Sequence, residues 1–333
     1  MNKISEKYFG KHTFHPDIKK ITAQTIDETG FKIKKEIWRG IIYDKNKVGS
    51  LIYSGEYNAK PAILKIQGLK PEIDEIDIFN LFKKNNLSAK IKLPELFAKK
   101  KYSRKTGFGY LIMENIPQKK IFAPPFASEK QIKLFCEFYN EYREKVFAVP
   151  WWKNSINTEK FILQRLAGWI KISKHKKFWD ENLQGIRVKQ FRKIIKANSD
   201  KIPMVFSRGH LSCNDLYLQK NKFVLLSNLF WSWRPKYYDL AFNLWACLLK
   251  LPADYSFEKT ILFLEKWITA YRSIPWIKKQ KDFDEIFYIL LLERLLGSLV
   301  IDVRAGNQPK SEQKKLFELH LKLFDYFAKL IQG

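Results

Sequence analysis

One interruption constrains this chain more than any other feature. After Pro117 the apolar residues recur at helical spacing over 128–147, 157–173, 186–197, 257–274, 282–300 and 311–331. Between the third and fourth of these segments lies a short β-rich insertion. It runs Pro203-Met204-Val205-Phe206, then a polar stretch, then Lys222-Phe223-Val224-Leu225-Leu226. A plain helical bundle has no place for such an insertion, so the spacing predicts a specific mixed fold with a short hairpin inside its helical part.

The first third reads as strands. Runs at 37–43, 51–57 and 61–66 are β-rich and separated by short polar turns, the pattern of hairpins. From Pro71 the period changes: Ile73, Ile76, Phe79 and the Leu81-Phe82 pair recur at helical spacing with acids between them, which predicts one amphipathic helix. Two more strands are expected at 93–98 and 110–114, with Lys99-Lys100-Lys101 as a basic turn after the first. The expected organisation is α+β: an extension over 1–29, a small β-rich lobe with one helix over 30–117, and a large helical lobe over 118–333.

Composition narrows the partners less than its extremity implies. With 61 Lys+Arg against 34 Asp+Glu the net charge is +27, and 46% hydrophobic with 15% aromatic residues excludes a disordered basic tail. Only 11 of the basic residues are Arg, leaving 50 Lys. Arg is the residue that forks onto phosphates and bases, so the balance is unlike that of a nucleic-acid reader. The basic runs 99–101, 119–120, 174–177 and 278–281 fall at expected turns and helix ends, where solvated lysines are the default. Nucleic acid, anionic lipid or an acidic protein partner is the alternative reading of them. Cys136, Cys213 and Cys247 are too few and too scattered for a disulfide framework or zinc site, and His12 and His15 lack metal-ligand spacing. The first residues hold no apolar leader core, and no apolar run approaches the ~18 residues of a membrane span. A soluble, cytoplasmic protein is expected.

Residues 203–245 carry a resemblance. Arg208-Gly209-His210-Leu211 opens a loop that reaches Asp215-Leu216, the apolar strand 223–226 ends at Ser227, and an aromatic stretch with Trp231, Trp233 and Tyr237 leads into Tyr238-Asp239-Leu240-Ala241. This resembles the catalytic core of the aminoglycoside phosphotransferase and choline-kinase-like family, which shares the two-lobed protein-kinase fold. There the loop opens His-Gly-Asp-Leu and carries an Asn five residues after its Asp; a strand ending Ile-Asp and a Tyr-Asp-Leu-Ala helix start follow.

The resemblance implies ATP-dependent phosphoryl transfer to a hydroxyl, with Mg²⁺ on the phosphates. That chemistry needs a carboxylate to orient the acceptor, plus an amide and a second carboxylate for the metal. Laid on this chain, the three positions are His210, Asp215 and Ser227, and the leading His is Arg208. An imidazole can serve as general base near neutral pH, and Asp215 is a hard oxygen ligand. Ser227 is neutral and cannot replace a charged metal ligand. Alternatively, His210 and Ser227 merely complete hydrogen bonds of a non-catalytic loop.

The amino-terminal half is similar to the same family. Lys65, in Ala62-Ile63-Leu64-Lys65-Ile66, resembles the strand lysine that grips nucleotide phosphates, and Glu75 its helix partner. A lysine in a strand is otherwise a solvated edge residue. The segment ending at Met113-Glu114 resembles the hinge whose backbone pairs with adenine. The phosphate-covering loop is expected around 44–50, where Gly49 is the sole glycine. Asp239 is read as a brace for the catalytic loop or an ordinary N-cap, buried or partly buried in either case, and Trp231, Trp233 and Tyr237 as packing, with the lining of a substrate cleft as the alternative. The leading expectation is a catalytically impaired pseudokinase with a binding or regulatory role that retains sites for ATP or another anionic small molecule. The alternatives are a divergent phosphotransferase with His210 as base and Asp215 as metal ligand, and a basic scaffold for nucleic acid or an acidic partner.

Overall fold

A computed structural model describes residues 18–41, 48–68, 73–116, 128–146, 150–154, 156–212, 215–226, 228–252, 255–304 and 309–332, with backbone alone at Ile18, 38–41, 48–50 and Leu229. The chain divides into two units. The first comprises Met1–Lys84, Lys92–Lys119 and Val224–Leu229; the second comprises Asn85–Ile91, Lys120–Phe223 and Phe230–Gly333.

The first unit is built on a five-stranded antiparallel sheet of order β1-β2-β3-β6-β5. Its strands are β1 (Lys32–Ile41), β2 (Val48–Tyr57), β3 (Lys60–Gln67), β5 (Leu96–Ser103) and β6 (Phe108–Glu114). The two-residue β4 (Ile91–Lys92) lies outside it. Asn58 and Ala59 (φ 49° and 60°) form the tight turn that sets Tyr57 against Lys60, in a left-handed backbone suited to the twist of a hairpin. A helix unread in the sequence, α1 (Ile18–Thr29), occupies the expected N-terminal extension. Its Ile21 joins Phe31, Leu51, Tyr53, Ala62, Leu64, Ile66, Phe108 and Ile112 in one buried cluster.

Two expectations need correcting here. The lysine run is not a turn: Lys99, Lys100 and Lys101 lie inside β5, paired along β6, and the reversal falls at 104–107. Two of the three basic groups have a partner to rest on. Lys100 Nζ is 2.9 Å from both oxygens of Glu28 and 4.7 Å above the Phe108 ring, and Lys101 pairs with Asp77. Long apolar stems let lysine cover a strand while the ammonium stays at the surface. Nor does the helix begin at Pro71, which lies outside the described residues. α2 runs Glu75–Asn85, because Asp74 takes the Ile76 N–H (2.9 Å) on one oxygen and the Tyr102 N–H (3.0 Å) on the other.

The second unit holds α3 (Glu129–Glu141), α4 (Thr158–His175), α5 (Ile186–Asn198), α6 (Tyr238–Leu248), α7 (Phe257–Ser273), the single-turn α8 (Pro275–Lys278), α9 (Phe283–Gly297) and α10 (Lys310–Gln332). The helical segments read from periodicity are thus all present, with α3 extended by a wider turn over Tyr142–Val146. The β insertion pairs differently from the expectation. β7 (Met204–Ser207) pairs antiparallel with β10 (Ser232–Pro235). β9 (Lys222–Leu225) is bonded instead to β8 (Leu216–Gln219), across a turn in which Lys220 and Asn221 have φ 46° and 62°. The reason is turn chemistry: a two-residue left-handed turn favours the local hairpin over the distant run.

Among the described residues no helix is long and apolar enough to cross a membrane. One buried titratable group gives a pH prediction. His320 on α10 is 1% exposed, its Nδ1 lies 2.8 Å from the Leu316 carbonyl oxygen, and burial pushes its imidazole down from 6.5 to about 4. A lowered folded value means that the unfolded chain takes up the proton first. The stability it contributes is therefore full above pH 6.5 and lost as pH falls through about 4. Comparing wild type with His320→Leu by urea unfolding across that window is expected to show a wild-type loss of about 3 kcal/mol that the variant lacks.

Candidate active site

In the first unit, local structure brings Lys65 and Glu75 together. Lys65 faces Leu111 across the β3–β6 ladder, and Glu75 opens α2 where its charge suits the helix start. Their side chains form an ion pair with 8% and 3% exposure. Glu75 also accepts from Gln67 Nε2 (3.3 Å), and its other oxygen accepts from the Asn228 backbone N–H (3.1 Å). Asn228 Nδ2 donates to the Leu225 carbonyl (3.0 Å), which fixes the turn after β9. One carboxylate thus ties the sheet lysine to the end of the strand that carries the third motif position. Ser227 itself lies outside the described residues, as do 44–47 of the expected phosphate-covering loop; Gly49 is in β2. Met113 is buried in β6, opposite Ile63 on one side and Leu96 on the other.

In the second unit, the loop after β7 carries the other candidates. His210 Nδ1 lies 3.1 Å from Asp215 Oδ2, and Ser212 Oγ donates to the same oxygen at 2.9 Å. The fully buried Arg208 guanidinium stands 3.8 Å from it. The His210 ring stacks on Phe230 (4.6 Å between centroids) and tilts against Phe242 (4.5 Å), so the imidazole is clamped as well as bonded. The loop is anchored from α3 and its extension: Arg208 N–H donates to Tyr142 Oη (2.9 Å), and Tyr142 packs on Tyr139 (5.7 Å). Tyr139 Oη in turn donates to Asp239 Oδ1 (2.9 Å).

Asp239 is buried as expected, but it is not the N-cap. That position is Tyr237, at φ 68°, and Asp239 Oδ1 accepts its own helix's Leu240 N–H at 3.0 Å. Burial raises its carboxyl above the ordinary range, and the charge of Arg143 acts in the opposite direction. Trp231 and Tyr237 are packed at 1% exposure, Trp231 stacked on Trp151 at 4.5 Å. Trp233 is half-buried and donates to the Trp152 carbonyl (2.8 Å).

Gly209 is the hinge of this loop, at φ 66°. A Cβ there would lie 2.5 Å from Arg234 Nε and 2.8 Å from the Phe230 carbonyl oxygen. Gly209→Ala is expected to destabilise by at least about 1–2 kcal/mol from the left-handed backbone alone. Chemical denaturation measures it, and a loss under 0.5 kcal/mol would be inconsistent with this geometry.

The residues present do not fit a divalent cation. A Mg²⁺ site needs carboxylate oxygens turned to the ion. Asp215 Oδ2 instead faces a hydroxyl, an imidazole and a guanidinium, and Ser227 is neutral. Among the described residues no three His, Cys, Asp or Glu side chains gather as metal ligands. Sequence reasoning missed Ser212, Tyr142 and the Arg208–Asp215 pairing. The last had a signal: an arginine and an aspartate are gained together, on one loop, relative to the family frame.

No protein-family model and no curated protein matches the sequence. Solved structures do match. A thermostable mutant of aminoglycoside phosphotransferase APH(4)-Ia, in ternary complex with ADP and hygromycin B, is similar at TM-score 0.61 and 11% identity, over 95% of this chain and 99% of that one. Amicoumacin kinase hAmiN, in complex with AMP-PNP, Ca²⁺ and Ami, is similar at TM-score 0.60 and 11% identity, over 95% and 100%. A putative fructosamine-3-kinase from Haemophilus somnus 129PT is similar at TM-score 0.51 and 15% identity, over 94% and 97%. At such identities the likeness is one of fold. With a β-sheet unit followed by a mostly helical one, the chain has the aminoglycoside phosphotransferase, protein-kinase-like fold.

Proposed function

We propose that this is a nucleotide-binding, kinase-fold protein with a binding or regulatory role, impaired in metal-dependent phosphoryl transfer. The observation that carries this reading is the engagement of Asp215 by Arg208, His210 and Ser212 within its own loop. A carboxylate so held is a poor metal ligand, and phosphoryl transfer depends on the metal to neutralise developing charge. Retained nucleotide binding is supported by the buried Lys65–Glu75 pair, which presets an ammonium for phosphate. Solved neighbours in complex with ADP or AMP-PNP support it further. In this reading Lys65 and Glu75 serve the phosphates, the backbone near Met113 serves the base, and the lobes divide near residue 117.

Thermal unfolding with ATP, alongside a phosphoryl-transfer assay, tests the proposal. ATP at a hundredfold excess over its Kd is expected to stabilise the wild type by about 2.7 kcal/mol. That gain should vanish in Lys65→Met, with no transfer to hydroxyl acceptors. Absence of any nucleotide stabilisation, or robust turnover, would overturn it.

The His210–Asp215 contact favours a second reading, a divergent small-molecule phosphotransferase. A carboxylate on Nδ1 fixes the tautomer in which Nε2 accepts a proton, so His210 would be the base and Asp215 its orienting partner. Turnover that disappears in both His210→Ala and Asp215→Ala would establish it.

A further inference from the structure

We propose that the outer face of α5 is a peripheral membrane contact that recognises an anionic lipid surface. It lies within the second unit alone and is independent of nucleotide binding.

The charge of the chain is unevenly spread. Residues 171–196 hold nine Lys and Arg against two acidic residues, so 26 residues carry a surplus of seven out of the chain's +27. On α5 there are five basic residues and no acidic one. At about 100° per residue, Lys189, Arg192, Lys193 and Lys196 fall within about 100° of the helix circumference, and Ile186 adjoins them about 20° farther round. All five are exposed, while Val188, Phe191, Ile194 and Ile195 hold the opposite side in the core. The stripe joins the lysines at the end of α4 through a run of contacts. Lys189 Nζ is 3.7 Å from Glu181, Glu181 accepts from Trp179 Nε1 (2.8 Å), and Lys174 Nζ stands 5.4 Å over the Trp179 ring. The other acid of the segment, Asp180, is engaged by the Asn182 and Leu183 N–H groups at 2.8 and 3.0 Å.

Three features select a lipid surface over another polyanion. Seven of the nine basic residues are Lys, and of the two Arg, Arg187 is held by Asp325 through Nε (3.0 Å), which leaves Arg192 alone on the stripe. Lysine is a point charge that is drawn to a field of headgroups without a fixed geometry, whereas reading nucleic acid relies on the arginine fork. Ile186, 57% exposed at the margin of the stripe, is an apolar side chain that the headgroup boundary takes up and a phosphate backbone does not. Trp179 is half-buried, with its N–H satisfied and a lysine over its ring, so it is placed as an amphipathic ring at headgroup level rather than as an open platform for a base.

Co-sedimentation of the full chain with vesicles of phosphatidylcholine plus phosphatidylserine, against phosphatidylcholine alone, tests this. Binding is expected only where phosphatidylserine is present, and is expected to weaken as salt rises. Arg192→Gln with Lys193→Gln and Lys196→Gln is expected to raise the apparent Kd about a hundredfold, roughly fivefold for each charge near the leaflet. Lys259→Gln with Lys266→Gln and Lys322→Gln removes the same charge from exposed positions on α7 and α10 and is expected to leave the Kd nearly unchanged. Ile186→Ser is expected to weaken vesicle binding about tenfold. Equal binding to phosphatidylcholine alone, equal losses in the two triple variants, or no effect of Ile186→Ser would overturn the proposal. So would duplex RNA or polyglutamate held by this face more tightly than the vesicles, or no binding at all.

Discussion

Glu75→Ala is expected to destabilise the protein by about 3–5 kcal/mol, the cost of leaving a buried charge without its partner. Three donors lose their acceptor at once: the Lys65 ammonium, Gln67 Nε2 and the Asn228 N–H. The ammonium dominates, because its side chain is 8% exposed and cannot turn fully to water. Removing both charges isosterically, as Lys65→Met with Glu75→Leu, is expected to recover much of the loss, since a well-packed apolar pair often matches a buried ion pair. Urea unfolding of the two single variants and the double variant measures this as a cycle. A single-variant loss below about 1 kcal/mol, the range of exposed pairs, would contradict the burial. The Asn228 bond adds a second readout. With Glu75 gone, the turn after β9 loses an anchor, and hydrogen exchange there should accelerate.

Returning the family residues is expected to create activity. The combined variant Arg208→His, His210→Asp, Asp215→Asn and Ser227→Asp restores a carboxylate base, an amide and a metal carboxylate together. Mg²⁺-dependent nucleotide turnover should rise at least about 10²-fold, the lower range for a positioned base. Arg208 belongs in the set because it is matched to Asp215: changing the aspartate alone removes the carboxylate 3.8 Å from a buried guanidinium. Asp215→Asn by itself is therefore expected to lower stability without producing turnover. If the combined variant folds and remains inert, the deficit lies outside these four positions.

The sequence disclosed its helices well and its strand partners poorly, for different physical reasons. Helical spacing is local, so α4, α5, α7, α9 and α10 lie within a few residues of the periodic segments. Strand pairing is not local. The runs at 203–206 and 222–226 look like each other's partners, yet each finds another: β10 for the first, β8 for the second. The lysine run of β5 was unreadable because its partners Glu28 and Asp77 lie far along the chain and adjoin it only once α1 and α2 are in place. At the candidate site the frame was legible residue by residue, since Gly209, Leu211 and the Tyr238–Ala241 start hold fixed spacings. What distance along the chain concealed was the support: Tyr139 and Tyr142, within the periodic segment 128–147, turn their hydroxyls to Asp239 and the Arg208 backbone.

The lysines of β5 have a consequence for how copies of this protein meet. β5 ends the strand order, so among the described residues one side of it faces no further strand, and its Tyr102 N–H is taken by Asp74 instead. An incoming strand would have to displace the ammonium groups of Lys99, Lys100 and Lys101 and break the pairs with Glu28 and Asp77. Lysine is a residue that natural sheets use to make an open edge unattractive to another chain. Part of the +27 charge thus keeps the sheet closed to further strands, and lysine serves that purpose where arginine, ready to stack and fork onto a neighbour, would not.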